Sequence, residues 1–249
     1  LSGDGFTVIM DYYRDSEDGQ AQADLNRLMD GTFSNQEAGM PEGTVHSELL
    51  RRPGKLYVLA SHFHPDHFNK EVLQWREQRP DIIYIFSKDI LRHRRAQKED
   101  AVWLKKGEEY KDETLSVRAF GSTDVGVSFL LQAGGKKIFH AGDLNNWHWM
   151  DESTEAEWKG AEKNFLHELD DLYAYTPEVD VAMFPVDPRL GKEYMRGAGQ
   201  FVTKIKTHIF VPMHFTPEYA RANAFRDFAE AHGVRFVSLT HRGQKIEIE

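Results

Sequence analysis

The apolar positions of this chain fall into short β-branched or aromatic runs separated by stretches with helical spacing, so strands and helices alternate along its length. Phe6 to Asp11 reads as a strand and Leu56 to Ala60 as a buried one. Asn69 to Gln78 has the spacing of a helix stopped by Pro80, and Ile82 to Phe86 reads as the next strand. Leu115 to Phe120, Val127 to Gln132 and Lys137 to Ala141 read as strands, the last two joined by a hairpin turn at Gly134-Gly135. The rhythm returns in strand Val179 to Pro185, helix Tyr194 to Lys206, strand His208 to Pro212, helix Pro217 to His232 and strand Val234 to Leu239, with Gly233 placed as a helix cap. The pattern predicts an α/β protein of two similar strand-helix halves, meeting near residue 112 within a single domain over residues 1–249.

Two stretches interrupt this rhythm. Tyr12 to His46 carries Gly, Asp, Ser and Asn with only Leu25, Leu28 and Met29 at helical spacing, which predicts a long loop around one helical turn or two. Asp151 to Asp171 is strongly acidic, yet Trp158, Ala161, Phe165, Leu169 and Leu172 share one helical face. That is an amphipathic helix packed on the body, or a lid over a site.

Composition narrows the chemistry. With 249 residues, 40% hydrophobic and 12% aromatic, the chain can bury a sizeable core. It has no cysteine, so disulfides, a thiolate nucleophile and thiolate metal ligands are all excluded. A net charge of -9 repels polyanions, and the basic concentration formed by Lys88, Arg92, Arg94, Arg95, Lys98, Lys105 and Lys106 reads as a solvated helix face, so nucleic acid is disfavoured as a partner. The longest apolar runs are strand-sized, far short of the ~20 residues of a spanning helix, so no membrane partner is expected. No basic-then-apolar leader opens the chain, which points to the cytoplasm, although a start at Leu1 is also what a removed leader would leave. Walker loops, Gly-x-Gly-x-x-Gly turns and Gly-x-Ser-x-Gly elbows are all missing.

The chemistry concentrates after the buried strand, in Ser61-His62-Phe63-His64-Pro65-Asp66-His67. Side chains repeat every two residues in extended backbone, so His62 and His64 project to one side and both can reach a single ion. Pro65 then turns the chain and swings Asp66 and His67 toward a second position, which suits a pair of ions about 3.5–4 Å apart. Imidazole and carboxylate are ligands for zinc, manganese or iron(II), which an all-nitrogen-and-oxygen set cannot separate by softness alone; zinc is the leading expectation, with manganese or iron as alternatives.

This His-x-His-x-Asp-His segment resembles the signature of the metallo-β-lactamase-fold hydrolases, and the alternating halves resemble their four-layer αββα sandwich. The resemblance implies that Asp143, in Phe139-His140-Ala141-Gly142-Asp143, bridges the two ions. It also implies that His214, in Val211-Pro212-Met213-His214-Phe215, completes the second site, and that Asp11 supports the site without ligating. Most members carry a further histidine where this chain reads Gly121-Ser122-Thr123-Asp124-Val125-Gly126-Val127-Ser128. Asp124 is the nearest substitute ligand there; the alternatives are that it caps its loop or that the first site is open. The set around the L-ascorbate-6-phosphate lactonase is the most similar subgroup.

Two ions sharing a water would lower its pKa and supply a hydroxide nucleophile, with Asp66 orienting it or taking its proton. Trp147 and His148, just after Asp143, are expected at the rim of the pocket, and Arg189 is a candidate for holding a phosphate or carboxylate, against an ordinary ion pair with Asp187. His140 reads as a core histidine. The leading expectation is a binuclear metal-dependent hydrolase acting on a small anionic ester, a sugar-phosphate lactone or a phosphodiester. A nuclease of the same fold and a non-catalytic metal-binding module are the rivals. A homo-oligomer stays open, with no exposed stripe to announce it.

Overall fold

The structure is a computed structural model that describes residues 1–13, 45, 50–216 and 218–248. The first sheet holds β1 (Ser2–Gly3), β2 (Phe6–Met10), β3 (Lys55–Ala60), β4 (Ile83–Ser87) and β5 (Val102–Leu104), in that order. All its pairings are parallel except the β1–β2 edge. The second holds β6 (Glu109–Lys111), β7 (Leu115–Phe120), β8 (Ser128–Ala133), β9 (Lys136–His140), β10 (Glu178–Pro185), β11 (Lys206–Met213) and β12 (Arg235–Phe236), again in sequence order. From β6 to β9 it is an antiparallel meander, and from β9 to β12 it is parallel. The chain changes sheets between Leu104 and Glu109, close to the expected junction near residue 112.

Strand alternation builds four layers. In β3, Tyr57 and Leu59 point between the sheets while Leu56, Val58 and Ala60 face outward. The inner layer is completed by Ile85, Val117, Phe129, Leu131, Ile138, Val181 and Ile209. Outside the first sheet lie Val72 and Trp75 of a 3-10 helix (Lys70–Glu77) and Ile90 of α1 (Lys88–Arg92). Outside the second sheet, Leu130, Phe139, Ala182, Phe184 and Phe210 meet α2 (Glu155–Tyr175) and α3 (Arg196–Lys204) through Phe165, Leu169, Leu172, Phe201 and Val202. This is the expected αββα sandwich.

Acidic α2 therefore packs on the body rather than closing over a site. Thr154 caps it and forms a capping box with Glu157. The expected helix Pro217 to His232 is replaced by two short ones, α4 (Tyr219–Asn223) and α5 (Arg226–Ala231). Between them Ala224 and Phe225 donate to residues three back, tightening the ladder where Phe225 is buried. The expected helix at Asn69 to Gln78 is a 3-10 helix, and β5, β6 and α1 escaped the pattern because three to five residues carry no readable period. Most of the loop expected over Tyr12 to His46 lies outside the described residues. Among the described residues no helix is long and apolar enough to cross a membrane.

Candidate metal centre

The pairings Met10↔Leu59, Met183↔His140 and Pro185↔Met213 bring the carboxyl ends of the parallel strands to one edge of the sandwich. In open α/β sheets that edge is where ligands bind. Asp11 follows β2, the His62 to His67 segment follows β3, Asp124 follows β7, Asp143 follows β9, and His214 follows β11. Two of these residues take left-handed backbone, Asp11 with φ 47° and His214 with φ 62°, a costly conformation that the surrounding hydrogen bonds hold. The sheets are tied at this edge by Val127 N–H donating to Ser61 O at 3.0 Å. Gly126 is required there: with φ 75°, a Cβ on it would stand 2.1 Å from Ser61 O.

The expected ligands gather into two sets. His62, His64, Asp124 and Asp143 each offer one atom to a common group within 4.8 Å, and so do Asp66, His67 and His214. In the first set His62 Nε2 lies 3.0 Å from His64 Nδ1 and 3.4 Å from Asp143 Oδ2, with Asp124 Oδ2 3.5 Å from His64 Nδ1. In the second, Asp143 Oδ1 lies 3.0 Å from His67 Nε2 and 3.2 Å from His214 Nε2, while Asp66 Oδ2 is 3.6 Å from His67 Nε2. The two oxygens of Asp143 thus face different imidazole groups. Despite these neighbours, buried Asp143 Oδ1 makes no hydrogen bond, as expected of atoms aimed at a shared point rather than at each other. Ligand atoms around a tetrahedral ion are about 3.3 Å apart. These separations and the His and Asp donor set fit divalent metal.

The remaining ring nitrogens are anchored. Asp11 Oδ2 accepts from His67 Nδ1 and from Ser61 Oγ, both at 2.7 Å, and Ser61 Oγ in turn sits 3.0 Å from His62 Nδ1. Asp187 Oδ2 accepts from His214 Nδ1 at 2.9 Å. Because a carboxylate only accepts, the Nδ1 protons are pinned outward and the Nε2 atoms face the centre. Asp11 supports without ligating, while the parallel role of Asp187 was missed in the sequence. An acid just past an apolar strand was the available signal, and Asp187 shares it with Asp11.

Electrostatics divides the histidines. Burial, then His67, pushes His62 down to about 4, leaving it neutral with a free lone pair. Burial also opposes charge on His67, but Asp11, to which it is hydrogen-bonded, and the adjacent Asp143 carboxylate outweigh it and push the imidazole up to about 10. His214 is likewise pushed up to about 9, burial being outweighed by Asp143 and Asp187. Asp143 is held well below the usual carboxylate range, its burial overcome by His214 and His67.

A cavity of about 360 Å³ opens on the second set, lined by Asp66, His67, Arg189 and His214 together with Met10, Asp11, His140, Met213 and Thr216. Arg189 reaches it while its Nε and Nη2 grip the Asp187 carboxylate, so the ion pair and the pocket position coexist. Trp147 is partly buried, donating Nε1–H to Asp143 O at 2.8 Å and setting its ring edgewise to His214. His148 is not at the rim. It is 1% exposed, with Nδ1 accepting from Met150 N–H and Nε2 beside Glu193 O, because the turn after Asp143 folds its ring into the body.

Comparison with known proteins adds the family context. A model of the β-lactamase superfamily domain matches residues 44–215. Among solved structures, Igni18, a metallo hydrolase from Ignicoccus hospitalis, aligns at TM-score 0.53 and 15% identity, covering 78% of each chain. A possible metal-dependent hydrolase from Veillonella parvula aligns at 0.55 and 12% identity over 98% of this chain and 93% of that one. CmlA, a diiron β-hydroxylase from Streptomyces venezuelae, aligns at 0.54 and 15% identity over 83% of this chain and 47% of that one. At these identities the likeness is one of fold. No curated protein matches.

Proposed function

The chain belongs to the β-lactamase superfamily, and from that premise we propose that it is a binuclear metal-dependent hydrolase of a small anionic ester, a sugar-phosphate lactone or a phosphodiester. The observation that carries the reading is Asp143, whose Oδ2 faces His62 and whose Oδ1 faces His67 and His214. His62, His64, Asp124 and Asp143 would hold one ion, and Asp66, His67, His214 and Asp143 the other. When bound, the ions supply an acidified water and Lewis acidity toward the substrate oxygen.

The chain's own residues do the rest. Asp66 is 59% exposed, so the carboxylate oxygen turned away from His67 is free to accept the proton that water loses on attacking the ester. That proton passes to the leaving oxygen as the ester bond breaks. Arg189 Nη1 has no partner among the described residues and binds the anionic group of the substrate. The cavity volume suits a small molecule, and the net charge of -9 argues against a nucleic acid.

One observation favours a second reading. Each ion would have two imidazoles and two carboxylates, an oxygen-rich set that also suits iron or manganese. The fold neighbour CmlA is a diiron β-hydroxylase, so oxygen chemistry at an iron pair is the alternative.

Element-resolved mass spectrometry on protein purified without chelator or metal-affinity resin tests both. The expected result is close to two ions per chain, Asp124→Ala losing one, and Asp66→Asn cutting ester turnover by orders of magnitude with its fold intact. One ion or fewer, unaffected by Asp124→Ala, rejects the binuclear site. Iron together with substrate-dependent oxygen uptake would select the second reading.

A further inference from the structure

His140, the last residue of β9, belongs to neither ligand set and is buried as expected of a core histidine, yet it also lines the cavity. Its Nδ1 accepts the Gly142 N–H at 3.2 Å, so the ring proton resides on Nε2. The nearest carboxylate oxygen, Asp11 Oδ2, is 3.9 Å from Nδ1, beyond hydrogen-bond reach, and already accepts from His67 and Ser61. Nε2 has no partner among the described residues. It is also not one of the sealed, partnerless atoms of the interior, so it keeps contact with the space beside it. That space is the cavity, whose wall His140 shares with Asp66, His67, Arg189 and His214. The residue is only 6% exposed. A ring so enclosed, with one donor aimed at a cavity and nothing in the protein to receive it, is an arrangement that a bound oxygen would complete. Burial also pulls the imidazole below its ordinary pKa, against the raising effect of Asp11, which keeps it a neutral donor.

We propose that His140 is a substrate-binding residue, its Nε2–H donating to an oxygen of the phosphoryl or carboxyl group that Arg189 attracts by charge. The two groups divide recognition: the guanidinium selects for an anion, and the shorter-range N–H fixes which oxygen is presented toward Asp66. The substrate class rests on the proposed hydrolase reading, but the donor itself does not.

The test uses zinc-loaded protein with inorganic phosphate as the probe, comparing wild type, His140→Phe and His140→Gln. In His140→Phe the phosphate Kd is expected to weaken about tenfold while zinc per chain stays at the wild-type value. His140→Gln, which keeps an N–H donor, should recover most of the affinity. In the wild-type protein the His140 Nε2 proton resonance should shift on adding phosphate, a readout that needs no substitution. An unchanged Kd in His140→Phe, an Nε2 resonance that phosphate does not move, or zinc lost in step with phosphate would overturn the proposal. Phosphate binding that depends on His140 in a protein that hydrolyses no ester would sink the hydrolase reading and leave His140 standing. Ester turnover by His140→Phe with wild-type kcat and KM would do the reverse.

Discussion

At the scale of single residues, the centre stores charge that an ion must displace. His67 and His214, raised to about 10 and about 9, both carry a proton at pH 7 in the metal-free protein, each held between two carboxylates. A raised folded pKa contributes stability that is full below about 6.5 and is lost as pH rises through the folded value. The metal-free protein should therefore lose stability progressively between about pH 6.5 and about pH 10, while its metal affinity climbs over the same range. Loading two divalent ions at pH 7 should release about two protons per chain, one from each imidazole. Calorimetric titration in two buffers of different ionisation enthalpy measures that number directly, and zero release would mean these rings are already neutral. His62 and Asp66 were legible as ligand candidates because their spacing is local. Asp187 was not, since its link to His214 spans 27 residues and exists only once β10 and β11 lie side by side.

Among elements, the loop over 121–127 between β7 and β8 matters most, because it presents Asp124 and rests against Ser61 at the end of β3 in the other sheet. Thr123 Oγ1 donates to Asn145 O and accepts Asn145 N–H at 3.0 Å, clamping this loop to the one that carries Asp143. Gly126 lets its backbone pass against Ser61. Gly126→Ala adds a Cβ at φ 75° against a carbonyl that cannot move without shifting His62, so it should cost more than about 1 kcal/mol of stability and weaken the first ion more than the second. Denaturant unfolding and stepwise metal titration would show it, and a variant with wild-type stability and both affinities intact would count against this role. Sequence pattern located the strands on either side of the loop, Leu115 to Phe120 coinciding with β7, yet said nothing of its contact with Ser61 in the other sheet.

For the molecule as a whole, Asp112 joins the two halves. Its carboxylate receives Lys55 and Tyr57 of β3, Tyr110 of β6, and the backbone N–H groups of Thr114 and Leu115 at the turn into β7. Burial opposes its charge, but the Leu115 N–H, Tyr57, Lys55 and the Thr114 N–H outweigh it and hold the carboxyl well below its ordinary range. A depressed folded pKa gives stability present above the unfolded value and lost as pH falls through the folded one. Asp112→Ala should therefore cost about 2 kcal/mol or more at pH 7, with the gap to wild type narrowing below about pH 3.9. Urea melts at pH 7 and pH 3 would reveal this; an equal gap at both would assign the loss to packing instead.

Period-two and helical spacing are carried by neighbours in the chain, so the sequence by itself determined the alternation of elements, the burial of β3, and the pairing of His62 with His64. The ligand segment was equally visible because its residues follow one strand end. Tertiary structure alone decided which distant acids serve that segment: the alignment of five strand ends set Asp11 behind His67, Asp187 behind His214, and the two oxygens of Asp143 between separate histidine groups. It also turned His148 inward and left His140 facing the cavity, because the direction of a side chain beyond a strand end depends on the turn that follows and on what the neighbouring strands already occupy.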